Sequence, residues 1–211
     1  MSETKTVNTK RGARRAGRNR PDILRSAGQV IADRGYEETR FADVAERSGA
    51  SVSTLQYLFG SRDDLLIATL RQTVDEFFAA ARDAGAAESE PLARLRATLR
   101  SMMAAEESDE DARRDWAVWI EYWRAASRDP ELGEEAERTY AAWTGLVADA
   151  IAPLVGAQDD VNALAAATTA MVDGFGIQIV LGPTRLDRAA AAETVLAWLA
   201  AVMGRSDLVQ I

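Results

Sequence analysis

An all-α fold is predicted by three features of the sequence. Apolar residues recur at helical spacing, helix start and stop signals punctuate the chain, and no segment shows the β-branched alternation of a half-buried strand. The first helix is expected over residues 21–34: Pro21 suits a first turn, Ile23, Leu24, Ala27, Val30 and Ile31 form one apolar face, and Gly35 suits a left-handed C-cap. A short helix follows over 41–47 and stops at Ser48-Gly49-Ala50. Ser51 is placed to cap a third helix over 52–59. Two short helices joined by a tight glycine-containing turn make a helix-turn-helix. Ser61-Arg62-Asp63-Asp64 reads as a capping box, so a long fourth helix begins there and runs to about residue 82, where the Ala/Gly/Glu/Ser stretch 84–90 breaks it. Further helices are expected over 91–105, 111–128, 131–152, 159–181 and 187–204, about nine in all.

Charge divides the chain. The net charge of the 211 residues is −8, yet residues 1–62 hold 12 Lys and Arg against 7 Asp and Glu, a balance of +5, leaving −13 for the rest. Only the first part is suited to face phosphates. Within it, Lys10, Arg11, Arg14, Arg15, Arg18 and Arg20 form a basic arm without apolar periodicity, either a nucleic-acid contact or a solubilising tail. With no cysteine and no histidine, disulfides, thiolate chemistry and the usual zinc sites are excluded, and no metal or cofactor is expected. No apolar run approaches the roughly 18 residues of a membrane span, and the N-terminus lacks the apolar region of a secretory signal. A soluble cytoplasmic protein with no membrane partner is expected. The acidic pairs Glu106/Glu107 and Asp109/Glu110/Asp111 lie in a polar break where solvated charge is the default, so catalytic residues are not assigned and an enzyme is not expected.

Residues 23–66, ILRSAGQVIADRGYEETRFADVAERSGASVSTLQYLFGSRDDLL, resemble the DNA-binding domain of the TetR family. RGYE, the turn ERSGAS, Thr54-Leu55 followed by Tyr57 and Phe59, and FGSRDDLL stand in family order and spacing. Downstream, over about 112–205, WAVWIEYWRAASRDPEL, the Tyr140/Trp143 helix and MVDGFGIQIVLG are similar to the subgroup containing the choline-responsive BetI repressors. The resemblance implies a basic arm over 1–20, a helix-turn-helix domain over 21–64 and a helical ligand-binding and dimerisation domain over 65–205. It also implies a homodimeric repressor that binds palindromic double-stranded operator DNA and is released by a small-molecule effector, whose identity the sequence leaves open. An activator, a regulator without ligand and a protein-binding helical adaptor are the other readings.

On the third helix Leu55 and Phe59 form the inner pair, leaving Ser51, Val52, Ser53, Thr54, Gln56, Tyr57 and Leu58 outward. The resemblance implies a phosphate or base contact for Thr54, a backbone contact for Tyr57 and a phosphate contact for Arg62, where relatives usually carry Lys. Arg40 can reach a phosphate or the groove edge. Ala42 stands where a base-reading Arg is common and Gln56 where Tyr is common, and Gln56 can bond bidentately to adenine. For the effector, Trp116, Trp119, Ile120 and Trp123 share one helical stripe, with Met102, Met103, Tyr140, Trp143, Met171 and Phe175 on neighbouring helices. Met103, Trp119, Trp123, Tyr140, Trp143, Met171 and Phe175 are the candidate ligand-binding set, with packed core as the other reading. Glu121 beside the aromatic faces suggests a quaternary ammonium, while a neutral apolar effector is equally allowed. Helices 159–181 and 187–204 are rich in small residues, and by resemblance they form the dimer interface; a tightly packed monomer is the alternative. Ligand and DNA binding are expected to couple through the helix beginning at Ser61, with Phe77 and Phe78 at the pocket.

Overall fold

A computed structural model describes residues 19–156, 160–182 and 187–205. Among these residues there are nine α-helices and no strand: α1 Arg20–Arg34, α2 Phe41–Ser48, α3 Val52–Phe59, α4 Arg62–Ala86, α5 Pro91–Met102, α6 Asp109–Ala126, α7 Pro130–Ile151, α8 Val161–Leu181 and α9 Arg188–Val202. The all-α class and the order of helices agree with the sequence reading. The basic arm lies outside the described residues except for Arg20.

The chain forms two units. The first takes the chain through Asp75 together with Ala117–Tyr122, and the second comprises Glu76–Trp116 and Trp123 onward. In the first, α1 buries Ile23, Leu24, Ala27, Val30 and Ile31, the face predicted from spacing. Val44, Leu55, Leu65, Leu66 and Leu70 complete its core. The turn after α1 requires glycine, because Gly35 has φ 83° and ψ 160°, a region open essentially to glycine alone. In the second unit α7 packs along α8, α5 packs against α7 and α9, and α9 also meets α8.

Two expectations are corrected. Helix α4 does not stop near residue 82 but continues to Ala86. Gly85 does not break it, because Gly85 serves a close helix approach: a Cβ there would lie 2.4 Å from Thr98 Oγ1 on α5. The second correction concerns apolar length. Helix α8 has 21 residues and a window of mean hydropathy 1.5, which meets the length and composition of a membrane span, with a third of that window buried. The alanines that read as small packing residues still count as apolar, and Asp173 is the one charged residue in the helix.

Candidate nucleic-acid interface and effector site

The helix-turn-helix is built by local hydrogen bonds. Gly49 closes α2 in the left-handed region at φ 70°, donating its N–H to Ala45 O at 3.0 Å. Ser51 then caps α3: its Oγ accepts the Thr54 N–H at 3.1 Å and lies 2.8 Å from both Ser53 Oγ and Thr54 Oγ1. Leu55 and Phe59 point inward, as the spacing predicts. The Arg20 guanidinium lies over the Phe59 ring at 5.1 Å from its centroid. Outward stand Ser51, Val52, Ser53, Gln56 and Leu58, with Thr54 half-buried and Tyr57 89% exposed. A phenol ring left in water contributes little to the core.

Arg40 is the exposed N-cap of α2, and its N–H donates to the Asp43 carboxylate at 2.9 Å. Asp43 also pairs with Arg34 at 2.8 Å. Arg62, for which the resemblance implies a phosphate contact, is engaged within its own unit. Its Nε donates to Thr39 O at 2.8 Å, its Nη2 donates to Tyr36 O, and the guanidinium lies 5.0 Å from the Tyr36 ring centroid. The predicted capping box is formed, with the Asp64 carboxylate accepting from Ser61 N at 3.2 Å and Ser61 Oγ at 2.6 Å. These bonds hold the Asp64 carboxyl below its ordinary pKa.

The candidate effector residues divide between the two units. Trp119 belongs to the first unit, where it meets Tyr122 edge-on at 5.8 Å, while the remaining six belong to the second. In that unit Trp143 packs edge-on to Phe78 at 5.1 Å and tilted to Phe77 at 5.9 Å, and Trp116 meets Phe77 edge-on at 5.9 Å. Trp116 lies so close to α8 that a Cβ on Gly176 would come within 2.1 Å of its ring. Its buried Nε1 has no hydrogen-bond partner among the described residues. Met103 is fully buried at the end of α5, and Trp123, Met171 and Phe175 are half-buried.

In the first unit the Glu121 Oε2 accepts the Tyr36 N–H at 3.1 Å. In the second unit Asp173 on α8 accepts at Oδ2 from Tyr140 OH at 2.9 Å. Tyr140 and Trp143 are one turn apart on α7, and Asp173 and Gly176 one turn apart on α8, so each pair shares a helix face. Burial pushes the Asp173 carboxyl up to about 6 against the opposing effect of the Tyr140 hydrogen bond. Sequence reasoning missed it, although a lone charge inside an apolar helix was a legible signal.

With this geometry in place, comparisons with known proteins are decisive for the family. A model for bacterial regulatory proteins of the tetR family matches residues 23–69, and one for the C-terminal part of BetI-type transcriptional repressors matches residues 91–204, more than half of the chain. The chain belongs to the TetR family. It is a BetI-type DNA-binding transcriptional regulator and not an enzyme. The regulator is 26% identical over 179 residues to the BetI regulator of Paraburkholderia xenovorans, covering 83% of this chain and 88% of that protein. A putative TetR-family regulator from Rhodococcus sp. superposes with TM-score 0.71 at 27% identity, covering 89% of this chain and 98% of that one. A putative regulator from Saccharomonospora viridis, solved in complex with choline, gives TM-score 0.74 at 26% identity over 85% of this chain and 94% of that one.

Proposed function

We propose that this regulator represses transcription as a homodimer on a palindromic operator and is released by a small cationic effector held at Asp173. Its parts are a basic arm over 1–20, a DNA-binding domain over 21–64 and an effector and dimerisation domain over 65–205. Arg40, Ser51, Val52, Ser53, Thr54, Gln56 and Tyr57 contact the operator. Arg62 acts instead by fixing the Tyr36 and Thr39 carbonyls behind α3. Dimerisation uses α8 and α9, whose outward residues include Ile177, Leu181 and Val202, exposed by 40%, 72% and 54%. No membrane partner is invoked for α8, because a second copy of the chain accounts for its uncovered apolar face, and a cytoplasmic location follows from the DNA target.

The observation that carries the effector class is the half-buried Asp173 carboxylate, one helical turn from the Gly176 that meets the Trp116 ring, with Tyr140 holding one oxygen. A cation there gains both the carboxylate and the aromatic faces. The choline bound by the Saccharomonospora relative has this chemistry. Trp143 and Tyr140 belong to the site, with Met103, Trp123, Met171 and Phe175 around it. Trp119 meets Tyr122 in the first unit. Coupling runs along α4, which begins three residues after α3 ends and is continuous to Ala86.

The test is an operator titration by fluorescence anisotropy with and without choline, on wild type and on Tyr57→Ala and Asp173→Asn. Tyr57→Ala is expected to lose about 1–3 kcal/mol of operator binding while keeping the dimer. Asp173→Asn is expected to keep operator binding and to lose release by choline. Binding linkage requires operator DNA to weaken choline binding by the factor with which choline weakens operator binding. Choline that binds tightly without moving operator affinity sinks the effector reading, and unchanged operator affinity in Tyr57→Ala sinks the recognition surface.

A further inference from the structure

The turn from α1 into α2, residues 35–40, is fixed by side chains that reach it from three places in the chain. Thr39 Oγ1, inside the turn and buried, donates to Gly35 O at 2.8 Å. Arg62 at the start of α4 donates from Nε to Thr39 O at 2.8 Å and from Nη2 to Tyr36 O. Glu121, on the stretch of α6 that belongs to the first unit, accepts the Tyr36 N–H at Oε2 at 3.1 Å. Its Oε1 also faces the turn, 3.6 Å from where a Cβ on Gly35 would stand. The backbone of Tyr36 is therefore gripped from both sides, its N–H by a half-buried carboxylate and its C=O by a guanidinium.

A turn is the part of a helical domain that moves first unless its backbone groups are tied down. This one ends on Arg40. Arg40 is exposed, has extended backbone at φ −120° and ψ 158°, and is the N-cap of α2. It is also the first side chain of the proposed operator surface. The chain between Tyr36 and Arg40 is short, so a shift of the Tyr36 peptide is carried to the Arg40 Cα. A displacement of about 1 Å is enough to take a donor out of the hydrogen-bonding range of about 2.7–3.2 Å.

We infer that Glu121 is a positioning residue for operator binding. By holding the Tyr36 N–H it fixes the turn that sets Arg40 on the DNA backbone, from a point in the chain outside residues 21–64, and this role rests on the proposed contact between Arg40 and the operator.

The test uses the full-length regulator and a duplex selected by the wild-type protein from random oligonucleotides, titrated by fluorescence anisotropy over a range of salt. Glu121→Gln keeps an acceptor of the same reach without the charge, and Glu121→Asp keeps the charge on a side chain one methylene shorter. Glu121→Asp is expected to weaken duplex binding about fivefold or more and to speed hydrogen exchange at the Tyr36 amide, with Glu121→Gln within about twofold of wild type on both readings. Arg40→Ala should weaken binding and flatten its salt dependence. In the Arg40→Ala background Glu121→Asp should cost nothing more, because a residue that acts through Arg40 has nothing left to position. A residue that serves only the stability of the fold would cost as much in either background. The proposal is overturned if Glu121→Asp binds as wild type does, if Glu121→Gln loses as much as Glu121→Asp, or if the two single effects add in the double variant. Unchanged binding in Arg40→Ala removes the operator contact and the positioning role with it; weakened binding in Arg40→Ala beside wild-type binding in Glu121→Asp removes the positioning role alone.

Discussion

The recognition helix and the aromatic cluster are built by opposite means. Around α3 the decisive contacts span two to four residues: Ser51 to Thr54, Gly49 to Ala45, Ser61 to Asp64. Around Asp173 they span dozens, from Tyr140 to Asp173 and from Trp116 to Gly176. Short-range bonds fix a surface that must present the same side chains to every operator. Long-range packing leaves buried polar atoms such as Trp116 Nε1 and Thr168 Oγ1 without a partner among the described residues, and such groups are where a ligand changes the balance.

The comparison breaks first at Gly176. A Cβ there meets three Trp116 ring atoms at 2.1 to 2.5 Å, and a rigid indole with 2% exposure cannot retreat. Gly176→Ala is expected to cost about 1–3 kcal/mol or more, read as a fall in Tm of about 2–4 °C per kcal/mol for a chain of this size. Gly174, two residues away, has open space at its Cβ. Gly174→Ala should therefore be neutral, or stabilising by up to about 1 kcal/mol through helix propensity. Equal effects at the two positions would show that long-range packing does not define this cluster.

A smaller effect separates the two regions by pH. The folded Asp173 carboxyl sits at about 6, above the ordinary value of roughly 3.9. A raised acid binds its proton more tightly when folded, so its contribution is fully present below pH 4 and is lost as pH rises through 6. The loss is expected to reach at most about 2 kcal/mol, since the group retains some solvent contact. Asp173→Asn should remove that part of the pH slope. Choline affinity should rise over the same window, because only the ionised carboxylate holds the cation, and should be flat in the variant. A pH-independent choline affinity in wild type would detach Asp173 from the effector site.

The same division explains what was legible in the sequence. Caps, turns and the inner pair Leu55 and Phe59 depend on neighbours in the chain, so α1 to α3 could be drawn almost to the residue. Helix α4 was ended too early because Gly85 carries two possible meanings, a break or a close approach, and only Thr98 on another helix decides between them. Trp116, Trp119 and Trp123 share a stripe by periodicity, yet Trp119 falls in a different unit from the other two. Glu121 lies on that same stretch and binds the backbone of Tyr36, 85 residues away in sequence. Periodicity places a residue on a helix face and says nothing of what packs against it.

The finest test is at Ser51, a helix cap that also belongs to the proposed operator surface. Helix α3 has only eight residues, too few to hold itself without tertiary support, so the bond from Thr54 N–H to Ser51 Oγ matters to its first turn. Ser51→Ala is expected to cost about 1 kcal/mol and to speed hydrogen exchange at the Thr54 amide. Ser51→Asp keeps a capping acceptor, and a negative charge at a helix N-terminus is favourable, so stability and exchange protection should return. Operator affinity should not return, because the new charge faces phosphates. If Ser51→Asp restores both, Ser51 serves only as a cap and the operator surface begins further along α3; if it restores neither, the start of α3 is set by the packing of Leu55 and Phe59, and the local construction assigned to this region is wrong.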